Sequence, residues 1–226
     1  MDKLDIGTWW RRLEGNAMYF YFRLVDKTAR FTTEGMENLA AARAMNRPIL
    51  WACWHGQGLS FLHWGNYHLD AKTFTAVVVG DKRFDILERL ITRLGAKSHA
   101  VDMQGNPVAA GRGVLKVIQD MKAGMQSLIF PDGPDGPAYE PKKGVTFLAR
   151  KAKGLILPIG VWTKNAYFMK RWDSYAIPFP FARFHASIGE PICVDKDTNE
   201  GWLREGITAS LDARRTRAQI MAGIKP

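Results

Sequence analysis

An α/β fold is predicted for this chain: a mainly parallel central sheet flanked by helices, with an amphipathic helical segment in front. Two observations predict it. Short apolar runs of strand length alternate with segments whose apolar residues recur at helical spacing, which implies crossover connections between parallel strands. The strand candidates also end in Gly, Pro and Asp, and the stretch 131–137 (PDGPDGP) is too turn-dense for any regular element to cross. A length of 226 residues, 46% hydrophobic and 24% charged, suits one globular unit and excludes disorder, collagen and coiled coil as the main state. Residues 1–46 are expected to form the N-terminal helical, membrane-contacting segment and 47–226 the α/β domain, packed as one unit.

Taken in order, residues 9–25 (WWRRLEGNAMYFYFRLV) carry paired arginines and six aromatics at helical spacing. Two readings of that greasy face stay open: packing against the domain, or lying among lipid headgroups. A weaker helix is expected over 34–45. Residues 49–54 (ILWACW) follow Pro48 and are too few for most helices, so they read as a buried strand with His55 directly behind it. The β-branched run 73–79 is a strand ending at Gly80-Asp81, and Phe84, Ile86, Leu87, Leu90, Ile91 and Leu94 then give a helix up to Gly95. Asn106-Pro107 reads as an N-cap and first helical position of a helix reaching about Lys122, with Val114, Leu115, Val117, Ile118 and Met121 inward. Residues 127–130 are a short strand, 143–153 a helix and 155–162 a strand. The segment 172–184 (WDSYAIPFPFARF) is expected to be a stiff aromatic loop, either packed on the domain or dipping into a membrane or gripping an acyl chain. Residues 185–189 return as a strand, and 199–224 form a helical region with a basic end at Arg214, Arg215 and Arg217.

In an open α/β sheet ligands bind beyond the carboxyl ends of the strands. His55, Asp81 and Asp132 each follow such an end, so parallel neighbours would bring a histidine and two carboxylates to one rim, as a general base and its partners require. The net charge is +10, with eight cations and no acid from Lys142 to Arg171. That run is either a solvated helix face or a basic rim for phosphate groups or an anionic bilayer. Nucleic acid is not an expected partner, since no matching motif accompanies the charge. Cys53 and Cys193 have no pairing pattern and are expected as reduced, packed thiols. His63 and His68 stand five apart, off one helical face, so no metal site is expected. The longest apolar stretches, 74–80 and 154–162, are short of the ~20 residues a membrane span needs, and residues 1–7 carry charge where a secretion signal needs an apolar run. No transmembrane helix is expected, and the basic, aromatic composition suits nucleic acid, the anionic face of a membrane or a phosphorylated cofactor alike.

The order Trp54-His55-Gly56, then Phe130-Pro131-Asp132-Gly133-Pro134, then a basic helix and Leu157-Pro158-Ile159-Gly160, resembles the glycerolipid and lysophospholipid acyltransferase superfamily, most of all a bacterial branch whose blocks read WHG and PDGPxGP. The resemblance covers about residues 48–194 and includes a further block at 172–181. It implies an acyltransferase-like domain that moves a fatty acyl group from acyl carrier protein or coenzyme A to a hydroxyl or amine of a lyso-lipid, with His55 as general base and no cofactor. In the wider superfamily an Asp follows the His after four residues; here that place holds Ser60, so Asp81 or Asp132 is expected to support the imidazole. Asp132 stands where the superfamily has Glu, and Asp135 where it has Arg, which disfavours a glycerol-phosphate acceptor unless Arg83, Lys142 or Lys143 takes over. The arginine of the superfamily's second block has no counterpart in 97–102. Substrate contacts are expected at Gly56, Gln57, Arg83, Pro131, Gly133, Gly136, Lys142 and Lys143, with backbone amides of the 133–136 turn stabilising the oxyanion. Membrane contacts are expected at Trp9, Trp10, Phe179 and Phe181. Ser60 and Asp135 also support an alternative, a non-catalytic lipid-binding protein on the same scaffold.

Overall fold

Every residue except 1–5, 80–83, 102–106, 196 and 226 is described in the computed structural model, apart from the side chains of 6–9, 11, 12, 79, 84, 85, 100 and 107–110. In chain order the elements are α1 (Ile6–Thr28), β1 (Arg30–Glu34), α2 (Met36–Ala44), β2 (Ile49–Ala52), α3 (Gly58–His68), β3 (Phe74–Val79), α4 (Phe84–Leu94), β4 (Lys97–Val101), α5 (Pro107–Lys122), β5 (Gln126–Ile129), α6 (Gly144–Ala152), β6 (Leu155–Phe168), β7 (Ala176–Ile188), β8 (Ile192–Cys193) and α7 (Glu200–Met221). The strands form one sheet in the order β1-β7-β6-β2-β5-β3-β4, with β8 beside β6. Neighbours are parallel except β6 with β7 and β6 with β8, so the fold is α/β with a mostly parallel sheet.

β2 lies in the middle and is buried on both faces, which explains its unbroken apolar sequence. Ile49 and Trp51 enter the core under α1, α2 and α3, whereas Leu50 and Ala52 enter the opposite core under α5, α6 and α7. Alternation along the strand divides the two layers. Burying a side chain such as Leu50 contributes ~1.5–3 kcal/mol, so both layers draw on this one strand. Asn199 caps α7 by accepting from Trp202 N at 3.1 Å, as its place before the helix suggests.

Several elements depart from the sequence expectation, β7, α3 and β1 most of all. β7 is a thirteen-residue strand where 172–184 suggests a loop. Its prolines are tolerated because β1 pairs only with Arg183 to Ser187 and the stretch before it is an edge, with no neighbouring N–H to supply. The carbonyl of Pro178 accepts from Tyr21 Oη at 2.7 Å, and Phe181 N donates to Thr28 Oγ1 at 2.9 Å, so α1 covers that edge. α3 has no amphipathic period because most of it is buried all round. β1 is short and polar, and it joins the sheet as its outermost strand, so residues 1–46 contain part of the same sheet. Leu115, expected inward on α5, is exposed, and so is Cys193, whereas Cys53 is fully buried.

Candidate active site

β2 and β5 are parallel neighbours, and β3 is next to β5, so the three strand ends share one rim. Cys53 N extends the ladder to Ile129 O at 3.3 Å, and the chain then turns through a short 3-10 segment, His55–Gln57, into α3. The Asp132 carboxylate binds that turn: Oδ1 accepts from His55 N at 2.9 Å and Oδ2 from Tyr139 N at 3.2 Å. Burial pushes the Asp132 carboxyl up from its ordinary value, and the donated amides pull it partly back. Asp132 therefore fixes the backbone of His55 and does not touch its ring.

The imidazole is held from another direction. Asp173, in the turn between β6 and β7, is completely buried and its Oδ2 stands 2.7 Å from His55 Nδ1. An ionised carboxylate only accepts, so Nδ1 carries a proton, and in the neutral ring the lone pair is then on Nε2. The other carboxylate oxygen of Asp173 pairs with Arg171 Nε at 3.1 Å. Phe130, Trp172 and Tyr175 surround the His55 ring with centroids 5.3, 5.4 and 5.6 Å away. Burial pushes the Tyr175 phenol well up, so it is a neutral wall. The His55 side chain remains 21% exposed, open enough for a substrate to reach.

Two glycines permit this packing. A Cβ on Gly56 would collide with the backbone oxygen of Asp173, and one on Gly133 would lie 2.7 Å from His55 Cδ2. Gly56 thus lets the WHG block approach the Asp173 turn, and Gly133 lets the PDG block approach the His55 ring.

The remaining expected site residues lie as follows. Ser60 is buried on α3 and accepts from Thr163 Oγ1 at 2.7 Å, so its hydroxyl fastens α3 to β6; the hydrogen-bond partner of His55 is Asp173 instead. Gln57 points into the core, where Oε1 accepts from Val161 N at 3.3 Å. Pro131 is buried and its carbonyl accepts from Lys142 N at 2.8 Å. Gly133 N donates to Phe130 O and Gly136 N to Asp132 O, both at 3.1 Å, so these two amides are committed within the loop and are not free oxyanion donors. Gly136, with a left-handed φ of 75°, packs on the Trp172 ring. The side chains of Lys142 and Lys143 are exposed beyond the loop. Asp81 and Arg83 lie outside the described residues, as does the side chain of Trp9. Trp10, Phe179 and Phe181 are 54%, 43% and 73% exposed. Burial pushes the Cys53 thiol well up, which suits a packed group and not a nucleophile. Among the described residues no cluster suits a metal ion.

Asp173 is the residue that sequence reasoning missed. Its signal was present: it is the first acid after Glu140 in an otherwise cationic stretch, inside the block at 172–181.

No family model matches the chain. It is 26% identical over 187 residues to an uncharacterised protein of Rickettsia prowazekii (strain Madrid E), covering 80% of each sequence. Its fold is similar to the crystal structure of the 1-acyl-sn-glycerophosphate acyltransferase PlsC from Thermotoga maritima. The TM-score is 0.56 at 17% identity, over 97% of this chain and 81% of that one. The chain thus shares the α/β fold of that protein. Among the described residues no helix is long and apolar enough to cross a membrane.

Proposed function

We propose that this protein is an acyltransferase that moves a fatty acyl group from a thioester, on acyl carrier protein or coenzyme A, to the hydroxyl or amine of a lyso-lipid or related single-chain amphiphile. The observation that carries the reading is the pair of His55 Nδ1 with the buried Asp173 Oδ2 at 2.7 Å, on the rim of a fold shared with an acyltransferase. His55 Nε2 takes the acceptor's proton as its oxygen or nitrogen attacks the thioester carbonyl, and Asp173 stabilises the imidazolium that forms. The tetrahedral adduct then collapses, the C–S bond breaks, and the imidazolium returns the proton to the leaving thiolate. Atoms balance without an acyl-enzyme or a cofactor. Such a base contributes ~10²–10⁴-fold.

The carboxylate that Ser60 fails to supply is available from Asp173, which favours this reading over a non-catalytic lipid-binding scaffold. Exposed Lys142 and Lys143 suit the phosphate of a phosphopantetheine arm. Peripheral attachment to an anionic membrane belongs to the same reading, supported by the exposed Trp10, Phe179 and Phe181. The test is mass-spectrometric: wild type and His55→Ala are each offered a lyso-lipid panel with both thioester donors. A new acylated product that depends on His55 supports the proposal, and binding of the panel without product by either protein removes it.

A further inference from the structure

The outer face of the β1-β7-β6 sheet carries an arrangement that the reaction does not use. Arg30 is the register partner of Arg183, and Arg183 that of Lys164, so three cations form one row across three neighbouring strands. Register partners on adjacent strands point to the same face, about 5 Å apart. The inward row beside them is Phe31, Phe184 and Thr163, which fixes the cationic row as outward. All three cations are exposed, and among the described residues none has an acidic partner.

Like charges placed directly opposite one another destabilise a sheet. Among the described residues no acidic group relieves this row. α7 covers the sheet only lower down, where Arg214 reaches Ser187 and Arg217 pairs with Glu34 at 2.6 Å. The next row, Thr32, His185 and Trp162, records the same field: His185 is lowered from its ordinary value by burial and then by Lys164 and Arg183. Between Arg183 and the register pair Ala166 with Pro178 the β6–β7 register shifts, and Phe179 and Phe181 in that stretch of β7 are exposed. That stretch is tied to α1 at Tyr21 and Thr28, beside the exposed Phe20 and Leu24.

We infer that the row Arg30, Arg183 and Lys164 is a docking surface for the anionic headgroups of a bilayer, with Phe179 and Phe181 entering the interface beside it. Uncompensated cations next to exposed aromatics match the charge and the apolar boundary of a lipid surface together, whereas an acidic protein partner calls for the charge alone. The inference rests on the proposed membrane attachment and assigns the surface that makes it.

The experiment is vesicle co-sedimentation with phosphatidylcholine alone and with about a quarter phosphatidylglycerol, at low and high salt. Each headgroup-facing cation is worth about fivefold in binding, so R30Q/K164Q/R183Q is expected to bind the anionic vesicles on the order of 100-fold more weakly than wild type. High salt should abolish most of the difference. Phe179→Ser with Phe181→Ser should weaken binding to both vesicle types. His55→Ala should bind like wild type, so that failure of the chemistry and failure of the surface are told apart. Undiminished binding by the triple variant, no preference of wild type for the anionic vesicles, or capture of an acidic acyl carrier protein with no vesicle binding would each overturn the inference. Circular dichroism melts of the triple variant establish that a loss of binding is not a loss of fold.

Discussion

Replacing Asp173 by Asn removes one charge from a buried site and leaves the side chain's shape. In the wild-type protein the carboxylate lies 2.7 Å from His55 Nδ1, which places the charge centres about 4 Å apart once the imidazole is protonated. At an effective dielectric near 20 that attraction is worth about 4 kcal/mol in the transition state, or about 10³-fold in rate. Asparagine also offers a donor as well as an acceptor to Nδ1, so the tautomer with its lone pair on Nε2 is no longer enforced. Arg171 remains beside the neutral amide and adds to the loss. The expected result is a fall in kcat of about 10³-fold with KM little changed, because the substrate's ground state does not sense the imidazolium. Acyl transfer followed by mass spectrometry measures it, and a melting curve close to wild type shows that removal of the buried charge has not unfolded the protein. A variant within about threefold of wild-type kcat would refute the assignment of Asp173 as the partner of the base.

Ser60→Ala should cost about 1–2 kcal/mol in denaturant unfolding, because Thr163 Oγ1 loses its acceptor, and should change turnover less than tenfold. Gly133→Ala puts a methyl 2.7 Å from His55 Cδ2, and the resulting displacement of the ring should lower kcat about 10²-fold with a smaller effect on melting temperature. Asp132→Ala should destabilise by about 2 kcal/mol, since two part-buried backbone amides lose a charged acceptor, and guanidinium unfolding reads it directly. His63 is buried between Phe22 and Phe184 and donates to Asp26; its pKa is lowered from 6.5, chiefly by burial. The unfolded chain therefore takes up the proton first, and stability is lost as pH falls from 6.5 toward the lower folded value. His63→Asn should flatten that slope in melts taken on either side of pH 6.5, and an unchanged slope would remove His63 as its source.

The parts of the fold that sequence made legible are those whose local pattern matches their final burial. β2, β3, β5 and the first half of β6 are apolar runs bounded by Pro or Gly because they lie inside a mostly parallel sheet covered by helices. α3 was not legible because burial on most sides erases the period of a surface helix. β7 was not legible because its prolines read as a loop until α1 is seen to cover the edge. The site divides in the same way. His55 and Asp132 end adjacent parallel strands, and the rule for open sheets places them on one rim. Asp173 reaches His55 only because the long β6–β7 hairpin brings its turn back over that rim, a relation between residues far apart in sequence that no spacing encodes. Gln57 and the amides of Gly133 and Gly136 read as substrate contacts because of their neighbours in sequence, yet Val161, Phe130 and Asp132 occupy them.

The central claim is that His55, held by Asp173, removes the acceptor's proton during acyl transfer. The most direct measurement gives purified wild type, His55→Ala and Asp173→Asn an acyl thioester and a lyso-lipid panel, and follows both released thiol and acylated product by mass spectrometry. The account predicts equal amounts of thiol and new acyl-lipid from wild type, and loss of both, with substrate binding retained, in the two variants. Product formation by His55→Ala at the wild-type rate would contradict it.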